Sequence, residues 1–232
     1  VDHGKTSLLD KIRETSIVAR EAGGITQRIG VSQIEVDNSG KKRRITFIDT
    51  PGHEAFANMR SQGVEACDIA LLIIAADDGI KPQTVESIEK IKSAAIPYIV
   101  VFTKIDLEGA NVESVKRQVV KAGIALEGLG GDVPYMGVSS KTGEKIPDLL
   151  DLIILVYDLS SIKKDENADF MGVVIDAKLD KRRGVTATLV VRSGKILVGD
   201  KIFVHGNEAG KVRAIINAFG KNVNTAAPGD GV

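Results

Sequence analysis

The sequence predicts an α/β domain with a doubly wound, mostly parallel sheet, followed by part of a small β-barrel. Two observations carry this prediction. Apolar runs of strand length alternate with amphipathic helical patterns over residues 1–159, as is typical of parallel sheets covered by helices. The charged segment 160–168 then leads into a region in which only short β-rich runs and Gly-containing turns occur.

The elements of the first domain follow from these patterns in chain order. Leu8, Leu9 and Ile12 have helical spacing and predict a helix from Gly4 to about Glu14. Residues 20–30 lack periodicity and are predicted to form a loop. The other predicted elements are a hairpin of strands 32–36 and 44–48, helices at 54–66, 81–94, 112–124 and 149–159, and strands at 69–76, 97–102 and 134–138.

The second domain shows no helical pattern. Its predicted strands are Met171–Ala177, Val185–Val191, Lys201–Val204 and Lys211–Ile216. We expect an α/β domain at 1–160, a linker at 161–168 and an incomplete β-barrel at 169–232.

Composition limits the classes of function. The formal net charge of zero gives no support for bulk, non-specific binding to nucleic acid. The single cysteine, Cys67, excludes an internal disulfide. The longest apolar runs are much shorter than the roughly 20 residues that span a bilayer, so we expect no membrane association.

The first residues carry a phosphate-binding pattern. Gly4-Lys5-Thr6 matches the second half of G-x-x-x-x-G-K-[ST], whose first glycine would precede Val1, so we expect the chain to begin inside this loop. Backbone N–H groups at a helix N-terminus attract phosphate, Lys5 would reach the outer phosphates, and the Thr6 hydroxyl would ligate Mg²⁺. Taken alone, the tripeptide is better explained by a surface lysine beside a helix end. The predicted binding residues are Val1, Asp2, His3, Gly4, Lys5, Thr6 and Ser7.

Two further segments are candidates for the metal and the terminal phosphate. Asp49 ends a predicted strand and could hold Mg²⁺ through water, while the Gly52 N–H in the same loop could bind a terminal phosphate. Thr26 follows two glycines, and its hydroxyl would fold over Mg²⁺ only when that phosphate is present. Such turns and loop threonines are also common without a ligand. The predicted binding residues are Thr26, Asp49, Thr50, Pro51, Gly52 and His53, and the metal ligands are Thr6, Thr26 and Asp49.

The segments Thr103–Asp106 and Ser139–Lys141 are predicted to recognise the base. The Asp106 carboxylate could accept hydrogen bonds from N1 and N2 of guanine, a donor pair that adenine lacks. The stem of Lys104 could cover the purine face. Ser139, Ser140 and Lys141 would offer backbone N–H groups to the guanine oxygen. Each motif alone is weak, but all of them lie at or after the carboxyl ends of strands, which predicts binding of GTP and GDP.

Five runs resemble a known family: Glu21–Gln27, Phe47–Phe56, Ala75–Thr84, Ala177–Gly184 and Ser193–Asp200. On the first three, residues 1–159 resemble the P-loop GTP-binding domain of translational GTPases, most closely the bacterial initiation factor two family. The last two are similar to the start of that family's β-barrel second domain. Elongation factor Tu shares the Val-Asp-His-Gly-Lys-Thr and Pro-Gly-His motifs, so an elongation-type GTPase is the alternative.

The resemblance implies a ribosome-stimulated GTPase that promotes initiator tRNA placement and ribosomal subunit joining. His53 would be catalytic by orienting the attacking water, and Val1 and Ile25 would form an apolar gate. Catalysis would come mainly from electrostatic positioning. In a different functional class, the chain would be a nucleotide-gated ribosome-binding module in which hydrolysis is only a timer.

The sequence departs from the family at three places. The Gly-His expected before Val1 is missing, and Arg28 replaces an expected histidine without a consequence that we can derive. Thr103 replaces an asparagine that usually braces neighbouring loops, a change that could weaken nucleotide affinity while Asp106 keeps the guanine contact.

The resemblance also implies partners and a location. We expect binding to both ribosomal subunits and their RNA, and to initiator tRNA through domains beyond Val232. The basic groups Lys41–Arg44 and Lys181–Arg183 are candidate RNA contacts, although solvated surface charge explains them equally well. We expect a monomer in the bacterial cytoplasm, with the mitochondrial matrix or a plastid as the alternative.

Overall fold

The computed structural model describes residues 3–15, 30–49, 63, 65–162, 164–181 and 184–232. The chain divides into two compact units. The first is built mainly from residues 1–19 and 67–162, and the second mainly from residues 20–51 and 163–232. The predicted helix at 54–66 lies almost entirely outside the described residues.

The first unit contains four described helices and three strands. The helices are α1 Lys5–Thr15, α2 Pro82–Ala94, α3 Val112–Lys121 and α4 Ile146–Leu159. Local chemistry sets several of their ends. Pro82 occupies the first turn of α2, where its missing N–H costs no helical hydrogen bond. The Asn111 side chain accepts a hydrogen bond from the Ser114 N–H at 2.9 Å and caps α3.

The strands of this unit form a parallel sheet in the order β3-β4-β5. They are β3 Ala70–Ala75, β4 Tyr98–Thr103 and β5 Tyr135–Gly137. The register pairs Ala75 with Thr103 at the carboxyl ends of β3 and β4. The loops that follow these strands therefore leave the sheet at one edge, as the α/β prediction requires.

Both faces of this sheet are buried. One face packs on α2 and α3 in a core formed by Leu72, Ile74, Ile88, Ile91, Val100, Phe102, Val115, Val119, Ile124 and Leu126. Because side chains alternate along a strand, Ile99 and Val101 of β4 point to the opposite face, and they are equally buried. The buried residues of α1 and α4 lie outside the first core. This arrangement is the doubly wound architecture that the sequence predicts.

The hairpin of β1 Val31–Asn38 and β2 Lys41–Ile48 belongs to the second unit. Its turn residues, Ser39 and Gly40, both have positive φ, the conformation that a two-residue hairpin turn demands. We expected this hairpin within the first domain, whereas its contacts group it with the β-rich region. The domain boundaries 1–160, 161–168 and 169–232 remain predictions.

The rest of the second unit is composed of antiparallel strands. They are β6 Met171–Asp180, β7 Gly184–Ser193, β8 Ile196–Leu197, β9 Lys201–Val204, β10 Asn207–Lys211, β11 Ile215–Ile216, β12 Asn222–Val223 and β13 Thr225–Ala226. The predicted run 211–216 is divided between β10 and β11. The reason is that Val212 leaves the ladder and exchanges hydrogen bonds with Gly199 and Asp200.

The segment 227–231 holds the β1–β2 hairpin within this unit. Asp230 Oδ1 accepts hydrogen bonds from Arg44 Nη1 at 2.8 Å and Gln33 Nε2 at 3.4 Å. The Thr46 hydroxyl donates to the Gly229 carbonyl at 2.6 Å. One carboxylate and one carbonyl thus attach both strands of the hairpin to the β-rich region.

No helix among the described residues is long and apolar enough to cross a membrane.

Close packing at Gly231 generates a stability prediction. A Cβ added at Gly231 would overlap the Val31 side chain of β1, so Gly231→Ala must displace the hairpin or the segment that holds it. We expect a loss of about 1–3 kcal/mol in the free energy of unfolding, the usual cost of overpacking. Urea unfolding followed by circular dichroism measures this loss.

Gly109→Ala is the control, because an added Cβ there meets nothing within 4 Å. It should change the free energy of unfolding by no more than about 0.5 kcal/mol. Equal stability of the two variants would contradict the packing at Gly231.

Candidate functional site

The predicted phosphate loop leads directly into α1. Gly4 has φ of +77°, a conformation that a residue with a side chain adopts only with strain, and α1 begins at the next residue, Lys5. The Leu8 N–H donates to the Gly4 carbonyl at 2.9 Å, which continues the helical pattern back to the glycine. Leu8 and Ile12 are buried and fix the helix in the unit. The positive end of the helix dipole therefore lies beside the Lys5 and Thr6 side chains.

Thr103 attaches this loop to the sheet. It ends β4, is 1% exposed, and donates a hydrogen bond from Oγ1 to the His3 backbone carbonyl at 2.7 Å. The same hydroxyl oxygen is 3.7 Å from the Cβ position that Gly4 leaves empty. The residue that departs from the family pattern thus still braces the phosphate loop. Our expectation of weakened affinity remains a prediction.

The His3 side chain faces the turn after β3. It is 7% exposed, and its Nε2 lies 3.6 Å from Asp78 Oδ2 without a hydrogen-bond partner among the described residues. Burial holds the pKa of His3 below its ordinary value, against the opposing effects of the Ile73 backbone and Asp78. His3 is therefore neutral at pH 7, and its side chain anchors the loop in the protein.

Asp106 and Ser139 meet at the predicted base site. The Ser139 hydroxyl donates to Asp106 Oδ1 at 2.6 Å, although the two residues follow different strands. This hydrogen bond holds the pKa of the Asp106 carboxyl below its ordinary value, so the carboxylate stays ionised and available as an acceptor. Ser139 is fully buried, and its own N–H donates to the Glu144 carbonyl at 3.1 Å. The predicted backbone donors to guanine are then left to Ser140 and Lys141.

In the sequence, Lys104 lies between Thr103, which contacts the predicted phosphate loop, and Asp106, the predicted base-binding residue. Its backbone is left-handed, with φ of +60°, and its carbonyl accepts a hydrogen bond from the Leu107 N–H at 3.2 Å. Its Nζ is 3.6 Å from Asp77 Oδ2. The structure therefore brings Gly4, Thr103, Lys104, Asp106 and Ser139 to one edge of the parallel sheet.

The predicted metal ligands Thr6 and Asp49 belong to different units. Thr6 is exposed in the first turn of α1, and the Asp49 N–H after β2 donates to the Gly30 carbonyl at 2.8 Å. Among the described residues, no three His, Cys, Asp or Glu side chains form a cluster for a metal ion. The Thr6 and Asp49 side chains, each taken by itself, are oxygen donors of the kind that Mg²⁺ takes, and Mg²⁺ completes its shell with phosphates and water.

Several predicted site residues lie outside the described residues, and their roles remain predictions. They are Val1, Asp2, Thr26, Thr50, Pro51, Gly52 and His53, together with the gate residue Ile25.

Sequence reasoning missed the turn after β3 as part of the site. Asp77 approaches Lys104, and Asp78 approaches His3, in both cases at 3.6 Å. The available signal was a pair of carboxylates directly after a buried strand, the position where ligand-binding residues of α/β sheets occur. We used this run only for the family resemblance.

The buried hydrogen bond from Thr103 generates a prediction. Thr103→Val keeps the shape of the side chain but leaves the His3 carbonyl without its donor, at an expected cost of about 1–3 kcal/mol in the free energy of unfolding. GDP affinity should fall as well, because the phosphate loop loses its attachment to β4. Urea unfolding and calorimetric titration with GDP measure the two effects.

Thr103→Ser retains the hydroxyl and is the matched variant. It should bind GDP more tightly than Thr103→Val. If the serine and valine variants are indistinguishable in both measurements, the hydroxyl is not the brace.

Two family models match the chain. The model described as elongation factor Tu GTP binding domain matches residues 1–159, and that described as elongation factor G domain 2 matches residues 169–232. Solved structures show the same fold. Elongation factor SelB from Methanococcus maripaludis, in complex with the GTP analogue GppNHp, has a TM-score of 0.75 at 28% identity over 100% of this chain and 48% of its own. GDP-bound aIF5B from Aeropyrum pernix has a TM-score of 0.75 at 28% identity over 100% and 49%.

Curated relatives are more similar in sequence. Translation initiation factor IF-2 of Clostridioides difficile is 49% identical over 100% of this chain and 35% of its own length. The Bacillus subtilis factor is 50% identical over 98% of this chain and 31% of its own, and the chloroplastic factor of Rhodomonas salina is 45% identical over 98% and 30%. The chain thus spans about a third of these relatives, which confirm the predicted resemblance to initiation factor two. With a family model matched over residues 1–159, the chain belongs to the translational GTPases that share the elongation factor Tu GTP-binding domain.

Proposed function

We propose that the chain binds GTP and GDP with Mg²⁺ and hydrolyses GTP as part of a translation initiation factor. The observation that carries this proposal is the convergence of the phosphate loop, Thr103, Asp106 and Ser139 at one edge of the sheet. A phosphate-binding end and a base-binding end on one frame suit a guanine nucleotide. The identity of 45–50% to curated initiation factors over 98–100% of this chain favours initiation over elongation.

At the phosphate end, the chain would act by electrostatic positioning. The start of α1 and the Lys5 ammonium group would stabilise the negative charge of the outer phosphates. Thr6, Thr26 and Asp49 would hold Mg²⁺, which when bound neutralises charge on the phosphate oxygens. His53 would orient the attacking water, with Val1 and Ile25 as an apolar gate. Ribosome stimulation would come from rearrangement of these residues.

At the base end, Asp106 would accept the N1 and N2 hydrogen bonds of guanine. Ser139 supports this role by fixing the carboxylate through its hydroxyl and by keeping it ionised. The Thr142 N–H donates to the same hydroxyl oxygen at 3.1 Å, so the loop that carries Ser139 is itself fixed. A carboxylate held in this way is preorganised for its ligand.

In the whole protein, GTP would order the segment around Thr26 and favour binding to the ribosome, with hydrolysis as the timer of release. The protein would promote initiator tRNA placement and subunit joining as a monomer in the bacterial cytoplasm, or in an organelle of bacterial origin. Lys181–Arg183 remain candidate contacts to ribosomal RNA. Arg44 is less suited to that role, because its guanidinium group is paired with Asp230, with Nη1 2.8 Å from Oδ1.

Base selection provides the first test. Asp106→Asn exchanges a carboxylate acceptor for an amide that can also donate, which should shift preference from guanosine to xanthosine diphosphate. Competition binding of the two diphosphates measures this shift. Unchanged selectivity for GDP would show that Asp106 does not recognise the base.

Hydrolysis provides the second test. His53→Ala, in a full-length initiation factor that carries this chain, should bind GTP normally but lose ribosome-stimulated phosphate release. We expect a reduction of at least about 100-fold, comparable to the loss of one water-orienting or charge-stabilising group. Wild-type turnover with ribosomes would remove His53 from the mechanism.

A further inference from the structure

The turn after β3, residues 77–80, is held from behind by α3. The Gln118 side-chain oxygen accepts a hydrogen bond from the Ile80 N–H at 3.1 Å. Gly79 has φ of +73°, and a Cβ there would lie 2.5 Å from Gln118 Oε1, so only glycine permits this approach. The Ala76 N–H also donates to the Thr103 carbonyl at 2.8 Å. The turn is therefore fixed both to α3 and to the end of β4.

This fixed turn presents Asp77 to Lys104. The two charged groups are 3.6 Å apart, and their side chains are 28% and 31% exposed. Asp78, the neighbouring carboxylate, lies close to other groups, since its Oδ1 is 2.6 Å from Lys81 Nζ and its Oδ2 faces His3. Asp77 is thus the carboxylate of the turn that is directed to the base-binding segment.

We propose that Asp77 is a positioning residue for base binding, acting through Lys104. The inference rests on the proposed function, in which the aliphatic stem of Lys104 covers one face of the guanine. A lysine side chain loses conformational entropy when it is fixed. The pair with Asp77 restricts Lys104 before the nucleotide arrives, so that less of this entropy is lost on binding.

The backbone of Lys104 is also held in place, in a left-handed conformation. With φ of +60°, the residue lies in a conformation that side-chain-bearing residues seldom adopt. The loop itself is held by the Leu107 N–H and by the buried neighbour Thr103. Backbone contacts therefore hold the main chain of Lys104, and the pair with Asp77 holds its ammonium group.

A double-mutant cycle tests the proposal. GDP affinity and dissociation rate are measured for the wild-type chain, Asp77→Ala, Lys104→Met and the double variant. Asp77→Ala should weaken GDP binding by about threefold to tenfold, because Lys104 is then no longer restricted before the nucleotide binds. A tenfold change corresponds to about 1.4 kcal/mol. In the Lys104→Met background, the same change should have no further effect, because methionine keeps an apolar stem without the charge that Asp77 contacts.

The sign of the change in affinity and the melting temperature distinguish a positioning role of Asp77 from general electrostatic and stability effects. Removing a negative charge near an anionic nucleotide would strengthen binding by bulk electrostatics, so weaker binding requires a specific contact. The pair is partly exposed and contributes little to folding, so the melting temperature of Asp77→Ala should shift by less than about 2 °C. Lys81→Met removes the 2.6 Å pair on the same turn and should bind GDP like the wild type.

The outcomes are distinguishable. If the wild-type chain and Lys81→Met do not bind GDP, the proposed function itself fails. If both bind GDP and Asp77→Ala binds equally well, or if its effect persists undiminished in the Lys104→Met background, Asp77 does not act through Lys104.

Discussion

The hydrogen bond from the Thr103 hydroxyl to the His3 carbonyl is the interaction on which the site depends. It joins the first described residue of the chain to the end of the central strand β4, across 100 positions of sequence. Both groups are buried, so the bond is protected from competing water and the carbonyl would be left unpaired without it. Through this bond, the phosphate loop has a fixed place relative to the segment that carries Lys104 and Asp106.

Around this bond the site is assembled from strand ends. The loops after β3, β4 and β5 contribute Asp77, Lys104 and Ser139, and each of these side chains contacts a residue from another of the three loops. Ionisation follows from the same contacts, because Ser139 lowers the pKa of Asp106 and burial lowers that of His3. The result is a carboxylate kept charged at the predicted base end and an imidazole kept neutral in the predicted phosphate loop.

Asp49 is the described candidate that belongs to the second unit. The β1–β2 hairpin lies between Thr26 and the Asp49–His53 segment in the sequence, and Asp230 holds it within the β-rich unit. Asp49 follows directly from β2, so the strand that leads to this predicted magnesium ligand is attached to the β-rich unit. A mutation at Asp230 or Gly231 therefore also alters the support of the strand that leads to Asp49.

The sequence by itself determined the α/β class, the order of the elements and most candidate residues, because apolar periodicity and turn chemistry are local properties. Gly4, Asp106 and Ser139 were identified from short motifs. Tertiary structure alone decided that the Thr103 hydroxyl meets the His3 carbonyl, that the hairpin joins the second unit, and that Asp77 faces Lys104. These outcomes depend on distances between residues remote in sequence, which no local pattern encodes. The sequence identified the candidate side chains, and the packing of the strand ends determined which of them are in contact.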